Sequence, residues 1–154
     1  MCGGIASDIN KIPQGELKKY FSSEEIAKLK RLGVFEGFYW AKVPVLPVDK
    51  DGRVELVGWG NREGVEGMPK SGWAKQESVE NGKWLYLKPA TVKILANRGY
   101  EKGKWFDIKS GGLKGLLVDK NNKERVYMIT KPADEQYLRM TRHDRQPIEI
   151  KSRK

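Results

Sequence analysis

The stretch GLLVDKNNKERVYMIT, residues 115–130, gives the clearest indication of the fold. Two segments rich in apolar and β-branched residues, Gly115–Val118 and Arg125–Thr130, flank the turn-forming sequence Asp119-Lys120-Asn121-Asn122. Segments of this kind that are separated by a short polar turn are typical of a β-hairpin. The stretch therefore predicts two paired strands.

A second unit of this kind lies earlier in the chain. Asp49-Lys50-Asp51-Gly52 separates the candidate strands Lys42–Val48 and Val54–Trp59. Because proline cannot donate a ladder hydrogen bond, Pro44 and Pro47 predict an edge strand or a broken strand there. Further candidate strands are Val34–Trp40, Trp84–Lys88, Thr91–Ala96 and Ile148–Ile150.

The sequence places two of the expected helices. Ser22 and Glu25 have capping-box spacing, Ile26, Leu29 and Leu32 follow at helical spacing, and Gly33 is a stop signal. A second, short helix is expected from Asp134 to Met140, and the glycine-rich residues 60–72 are read as a long loop. We therefore predict an α+β, β-rich fold with a curved mixed or antiparallel sheet or barrel-like core and two or three helices.

Length and composition indicate how many domains the chain has and in which compartment we expect it. A chain of 154 residues fits one domain, which we place at residues 1–150, with a basic tail at 151–154. A single cysteine excludes an internal disulfide and suits a reducing cytoplasm. No run of 18 apolar residues and no signal-peptide pattern is present, so we expect a cytoplasmic monomer that is not membrane-bound.

The charge balance indicates a polyanionic partner. The formal net charge is +10, and the chain also has five Trp and six Tyr. Basic surfaces combined with aromatic rings are typical of proteins that bind single-stranded nucleic acid.

Cys2 is the most reactive residue that the sequence offers. It follows Met1 directly, and methionine aminopeptidases usually remove Met1 before a small residue. The new terminus would carry an α-amine with a pKa of about 7.7–8.0 and a thiol with a pKa of about 8.5. Such a pair can attack an acyl group, or condense with an aldehyde and close a thiazolidine ring.

The other candidate chemistry is limited. His143 is the only histidine and could act as a general acid or base. One Cys and one His without clustered carboxylates do not make a usual zinc site, so no metal or other cofactor is expected. P-loop, G-x-G-x-x-G and G-x-S-x-G motifs are absent from the sequence.

Taken together, these segments resemble the SOS-response-associated peptidase (SRAP) family, whose members process abasic sites in DNA. The resemblance runs over nearly the whole chain. The matching segments, in order, are Met1-Cys2-Gly3, Trp59-Gly60, Ala74-Lys75-Gln76-Glu77-Ser78, Ala96-Asn97-Arg98-Gly99-Tyr100-Glu101 and His143-Asp144-Arg145-Gln146-Pro147. In the same order, these segments correspond to the family motifs M-C-G at the start, W-G, A-R-x-E-T, A-D-G-F-Y-E and H-x-R-x-P.

Four positions depart from the family pattern. Gly4 replaces an Arg, Trp73 stands where the family has an active-site Asn, Lys75 replaces an Arg, and Lys102 replaces a Trp. The chain is also shorter than most members, so it resembles a minimal, diverged member.

The resemblance implies a function. It implies an abasic-site sensor of the DNA damage and SOS response, crosslinked covalently to single-stranded DNA through Cys2 and associated with the nucleoid. Glu101 and His143 would complete the catalytic set, and the same nucleophile would remove Met1. DNA contacts would come from Lys75, Arg98 and Arg145, with Trp59 and Trp73 as base-stacking candidates.

Two other readings remain open. A non-catalytic nucleic-acid-binding module on a small β-barrel would also explain the charge and the aromatic residues. A class II glutamine amidotransferase also begins Met-Cys-Gly, but its Arg-Gly-Pro-Asp motif does not occur.

Overall fold

The computed structural model describes residues 2–150, which form eleven strands and four α-helices. The strands are β1 Gly4–Asp8, β2 Val34–Phe38, β3 Val45–Lys50, β4 Arg53–Trp59, β5 Trp73–Lys75, β6 Ala90–Leu95, β7 Arg98–Glu101, β8 Lys104–Asp107, β9 Gly112–Lys120, β10 Lys123–Pro132 and β11 Arg145–Pro147. The helices are α1 Gln14–Lys18, α2 Ser23–Leu32, α3 Gln76–Glu80 and α4 Glu135–Thr141, with 3-10 turns at Ile9–Lys11 and Leu85–Leu87.

Five of these strands close into a barrel. The order is β10-β4-β3-β6-β9, and β9 pairs again with β10 to complete the ring. The β10–β4 contact is parallel, whereas the other four are antiparallel. Buried aliphatic side chains from every strand fill the interior, among them Leu46, Val57, Ile94, Leu113 and Val126. Closure leaves these five strands with no free edge within the ring.

A second, antiparallel sheet carries the beginning of the chain. Its order is β2-β1-β7-β8, so β1 lies between two partners and Cys2 leads directly into the centre of the sheet. Ile5 and Phe35 from this sheet join the same core as the barrel. The residues next to Cys2 are therefore held on both sides.

The predicted α+β, β-rich, barrel-like fold is confirmed. Both predicted hairpins are present, as β3–β4 and β9–β10. Ser22 and Glu25 form a reciprocal capping box, and Gly33 ends α2 in the left-handed conformation at φ +74°. Asp134 caps α4 by accepting a hydrogen bond from the backbone of Tyr137.

Three details of the sequence prediction are wrong. Trp84–Lys88 is not a strand: Leu85–Leu87 is a 3-10 turn, and the Trp84 ring packs on Tyr127 in a second apolar cluster. The strand containing Pro47 is not an edge, because β3 lies between β4 and β6, but its pairing with β6 begins only after that proline. Ile148–Ile150 forms only an isolated bridge at Glu149, and the final strand is β11 instead.

None of the helices formed by residues 2–150 has the length and apolar character needed to span a bilayer. Residues 151–154, which the sequence predicts to be a basic tail, lie outside the described part of the chain.

Candidate functional site

One cleft brings together residues from distant parts of the sequence. Its lining residues come from the N-terminus, the β2–β3 connection, β5, the β7–β8 hairpin and the segment after α4: Gly3, Trp40, Trp73, Tyr100, Glu101, Lys102, Gly103 and His143. Cys2 lies immediately behind this wall. Two of the three predicted catalytic residues therefore line the cleft, and the third is the chain neighbour of Gly3.

The Cys2 thiol is fully buried. Its Sγ donates a hydrogen bond to the backbone oxygen of Gly4 over 3.0 Å. Burial raises the pKa of this thiol to about 11, and the nearby Glu101 charge acts in the same direction. At neutral pH the thiol is therefore protonated, and sulfur attack requires a group that accepts its proton.

Three hydrogen bonds fix the backbone around Cys2. The Gly3 amide donates to the Tyr100 carbonyl over 2.9 Å, and the Tyr39 amide donates to the Gly3 carbonyl over 3.1 Å. The indole Nε1 of Trp73 donates to the Cys2 carbonyl over 2.8 Å. Trp73 thus holds the cysteine from the β5 side.

Glu101 is a buried carboxylate at the end of β7. Only 5% of the residue is exposed, and its Oε1 accepts a hydrogen bond from the Tyr137 hydroxyl over 3.2 Å. Burial raises the pKa of Tyr137, and the charges of Cys2 and Glu101 raise it further. These electrostatic contributions place Cys2, Glu101 and Tyr137 in one cluster.

Sequence reasoning missed Tyr137. The residue lies in the predicted second helix, but the sequence does not tell which face of that helix meets Glu101. The only indication in the sequence that Tyr137 belongs to the site was its position, one turn after the Asp134 cap and just before the His143 segment.

His143 follows a helix end that determines its direction. Arg142 takes the left-handed conformation at φ +59° and ends α4. The Nδ1 atom of His143 accepts a hydrogen bond from the Arg145 amide over 3.1 Å, so a neutral imidazole carries its proton on Nε2. Lys102 donates to the Arg142 carbonyl over 3.2 Å and thereby ties the β7–β8 hairpin to this segment.

The predicted DNA-contacting cations have different environments. Lys75 is exposed at the end of β5, and Arg98 is half-buried with its guanidinium 4.8 Å from the Trp105 ring centroid. Arg145 instead has partners inside the protein, two hydrogen bonds to Glu77 over 2.8 and 3.0 Å and further bonds to Thr130. Arg145 also lowers the pKa of Glu77 to about 2. The DNA contacts of these cations stay a prediction.

The prediction that Trp59 stacks on a DNA base requires a correction. Only 1% of this residue is exposed, and its indole donates to the Gly72 carbonyl over 2.8 Å. A ring buried in the core cannot stack on a base, so Trp59 supports the fold. Trp73 is half-buried and lines the cleft, with its ring centroid 4.8 Å from that of Tyr39.

No family model matches the chain, and neither the curated proteins nor the solved structures give a significant match. Residues 2–150 hold no group of three or more His, Cys, Asp or Glu side chains that could bind a metal ion. The function must therefore be inferred from the cleft itself.

Proposed function

We propose that this protein captures abasic sites in single-stranded DNA by forming a covalent bond through Cys2. The observation that carries the proposal is the meeting of the Cys2 segment, a buried Glu101 and His143 at one cleft of a strongly basic chain. An N-terminal nucleophile beside a carboxylate and an imidazole matches the needs of aldehyde condensation with proton transfer.

The first step uses the α-amine of Cys2 after removal of Met1. An abasic deoxyribose must open its ring, breaking the C1′–O4′ bond of the hemiacetal to expose an aldehyde at C1′. The amine adds to C1′, and the carbonyl oxygen leaves as water to give an imine. His143 at the cleft wall would supply and accept the protons for ring opening and dehydration.

The second step uses the thiol. Sulfur adds to the imine carbon, the thiol proton ends on the former imine nitrogen, and a five-membered thiazolidine closes. Because the thiol pKa is about 11, this step needs a nearby base. Glu101 would deliver a proton to the imine nitrogen, stabilise the resulting iminium with its negative charge, and then take the thiol proton as sulfur adds, so that the thiol proton replaces the one delivered.

The test is adduct formation on a denaturing gel. Protein with Met1 removed, confirmed by mass spectrometry, is incubated with an oligonucleotide that carries one abasic site. We expect a shifted band, no band with an oligonucleotide lacking the abasic site, and slower formation with His143→Ala. Protein that retains Met1 is the matched control, because its α-amine lies one residue further from the thiol.

Cys2→Ala separates the two steps. This variant keeps an α-amine after Met1 removal, so its imine can be trapped with borohydride, but it cannot close a thiazolidine. We expect an adduct from this variant only with borohydride. A denaturant-stable adduct without the reductant would exclude Cys2 sulfur from the linkage.

A non-catalytic nucleic-acid-binding module is the second candidate function. The observation that favours it is the complete burial of the Cys2 thiol together with its raised pKa, which makes the sulfur unreactive until the cleft changes. A module of this kind would bind the same oligonucleotide but release it in high salt or denaturant, and wild-type protein would give no shifted band.

A further inference from the structure

A row of aromatic side chains crosses the four-stranded sheet next to the cleft. Strand register places Phe38 opposite Gly4, Gly4 opposite Tyr100, and Tyr100 opposite Trp105. The Tyr100 ring centroid is 5.5 Å from that of Phe38 and 5.0 Å from that of Trp105. The three rings therefore form a continuous surface across four strands.

Glycine in the middle of the row makes this surface possible. A Cβ atom on Gly4 would lie 2.4 Å from the Phe38 ring, and a Cβ atom on Gly3 would lie 2.8 Å from the Trp40 ring. The two rings thus rest directly on the backbone that follows Cys2. The resembled family has Arg at the position of Gly4. An Arg side chain here would displace Phe38, so the observed position of the Phe38 ring depends on glycine.

Trp40 is the exposed member of this aromatic surface. Its ring stacks on Phe38 at 4.9 Å and 27°, and its centroid lies 6.0 Å from that of Tyr100. Even so, 59% of Trp40 is exposed, and both Trp40 and Tyr100 line the cleft. An indole that is supported on one side and open on the other is suited to stacking on an unpaired base.

The charges around the surface suit a nucleic-acid strand. Arg98 packs over Trp105, and Lys102 lies in the hairpin that borders the cleft. Lys104 pairs with Glu101, on the opposite face of the sheet from Trp105. The acidic residues of this face, Glu36 and Asp107, lie in the same register row as Arg98, two residues along the strands from the row of Tyr100. The row nearest the cleft is therefore aromatic, and Lys102 is the cation beside it.

We propose that Trp40, supported by Phe38, Tyr100 and Trp105, is the stacking platform for the unpaired base that flanks an abasic sugar held in the cleft. This inference rests on the proposed function. An abasic site has no base of its own to be recognised, so the neighbouring base must supply the stacking contact. Only an unpaired, unstacked base exposes its face, so the partner is single-stranded.

The experiment compares two oligomers that carry equal numbers of phosphates. One is an oligothymidylate, and the other is a base-free chain of tetrahydrofuran phosphates. Affinity is measured by fluorescence anisotropy for the wild type, Trp40→Ala and Trp40→Phe. Tyr86→Ala is the control, because Tyr86 is 60% exposed but lies in the 3-10 turn Leu85–Leu87, outside the lining of the cleft.

We expect Trp40→Ala to weaken oligothymidylate binding by about 5- to 150-fold, the range for the loss of one base–aromatic stack. Trp40→Phe should keep most of the affinity. Binding of the base-free chain should not change, because its contacts involve phosphates alone. Tyr86→Ala should resemble the wild type with both oligomers, and circular dichroism verifies that each variant is folded.

Two outcomes would overturn the platform. One is equal oligothymidylate affinity in Trp40→Ala and Tyr86→Ala, and the other is an equal loss with the base-free chain. Either can occur while wild-type protein still forms the denaturant-stable adduct, in which case the proposed function stands. Conversely, a base-dependent loss in Trp40→Ala without any wild-type adduct would support the platform and refute the covalent function.

Discussion

At the scale of single residues, Cys2 combines a reactive position with a protective environment. Its sulfur is fully buried and bonded to the Gly4 carbonyl, and burial raises its pKa to about 11. With that pKa, only about one thiol in ten thousand is ionised at pH 7, compared with about 3% for an ordinary cysteine thiol. Burial therefore keeps the sulfur largely unreactive in the free protein.

This environment predicts the pH dependence of Cys2 alkylation. Only the thiolate reacts with iodoacetamide, and its fraction rises about tenfold per pH unit below the pKa. We expect the rate for folded protein to keep rising from pH 7 to pH 10, whereas urea-unfolded protein levels off above about pH 9. Mass spectrometry of the alkylated protein gives both rates. A plateau below pH 9 in the folded protein would contradict the raised pKa.

Trp73 provides a second prediction at the residue scale. Trp73→Phe retains an aromatic ring against Tyr39 but loses the hydrogen bond to the Cys2 carbonyl. One hydrogen bond contributes about 1 kcal/mol, so we expect crosslinking to slow by about fivefold. Gel quantification of the adduct over time gives the rate.

The matched control for Trp73→Phe is Trp59→Phe. That variant also loses a 2.8 Å indole hydrogen bond, to Gly72, in the core. It should lower the melting temperature without changing the crosslinking rate of the folded protein. Equal rates in the two variants would remove Trp73 from the positioning of Cys2.

At the scale of elements, strand β1 depends on small residues on one face. Gly4 lies between Phe38 and Tyr100 in the register of the sheet, so it governs how closely β2 and β7 place their rings. Strand β1 therefore has two structural roles: it anchors Cys2, and it supports the aromatic surface.

Gly4→Ala tests this packing. The added Cβ would lie 2.4 Å from the Phe38 ring, so we expect the free energy of unfolding to fall by about 1–3 kcal/mol, as for overpacked sites. Gly15→Ala is the control, because a Cβ atom there has no neighbour within 4 Å and lies in α1. That change should stabilise by up to about 1 kcal/mol. Urea unfolding of both variants measures the difference, and equal stabilities would refute the packing argument.

At the scale of the whole molecule, the net charge of +10 favours encounter with polyanions, and the proposed function makes DNA the one to test. We expect the non-covalent affinity of Cys2→Ala for an oligothymidylate to fall linearly on a log–log plot against salt. Neutralising three or more phosphates gives a slope of about −2 or steeper. Anisotropy titrations at several salt concentrations measure it. The wild-type adduct, once formed, should resist the same salt, and a slope near zero would exclude electrostatic binding.

Local structure could be predicted from the amino-acid sequence. The β3–β4 and β9–β10 hairpins and the capped helix α2 were predictable, because turn residues, apolar pattern and capping box act over a few neighbouring residues. The pKa of the Cys2 thiol could not be predicted in this way, because it depends on burial by residues from distant parts of the chain.

In contrast, the contacts between residues distant in the sequence depend on tertiary packing. Strand β1 pairs with β7 from the far half of the chain, and this pairing brings Glu101 and Tyr100 beside the Cys2 segment. The contact of Tyr137 with Glu101 and the burial of Trp59 follow from the same packing, which no local pattern encodes. The sequence does not distinguish a buried tryptophan from an exposed one. Packing of the sheets buries Trp59 in the core and leaves Trp40 exposed.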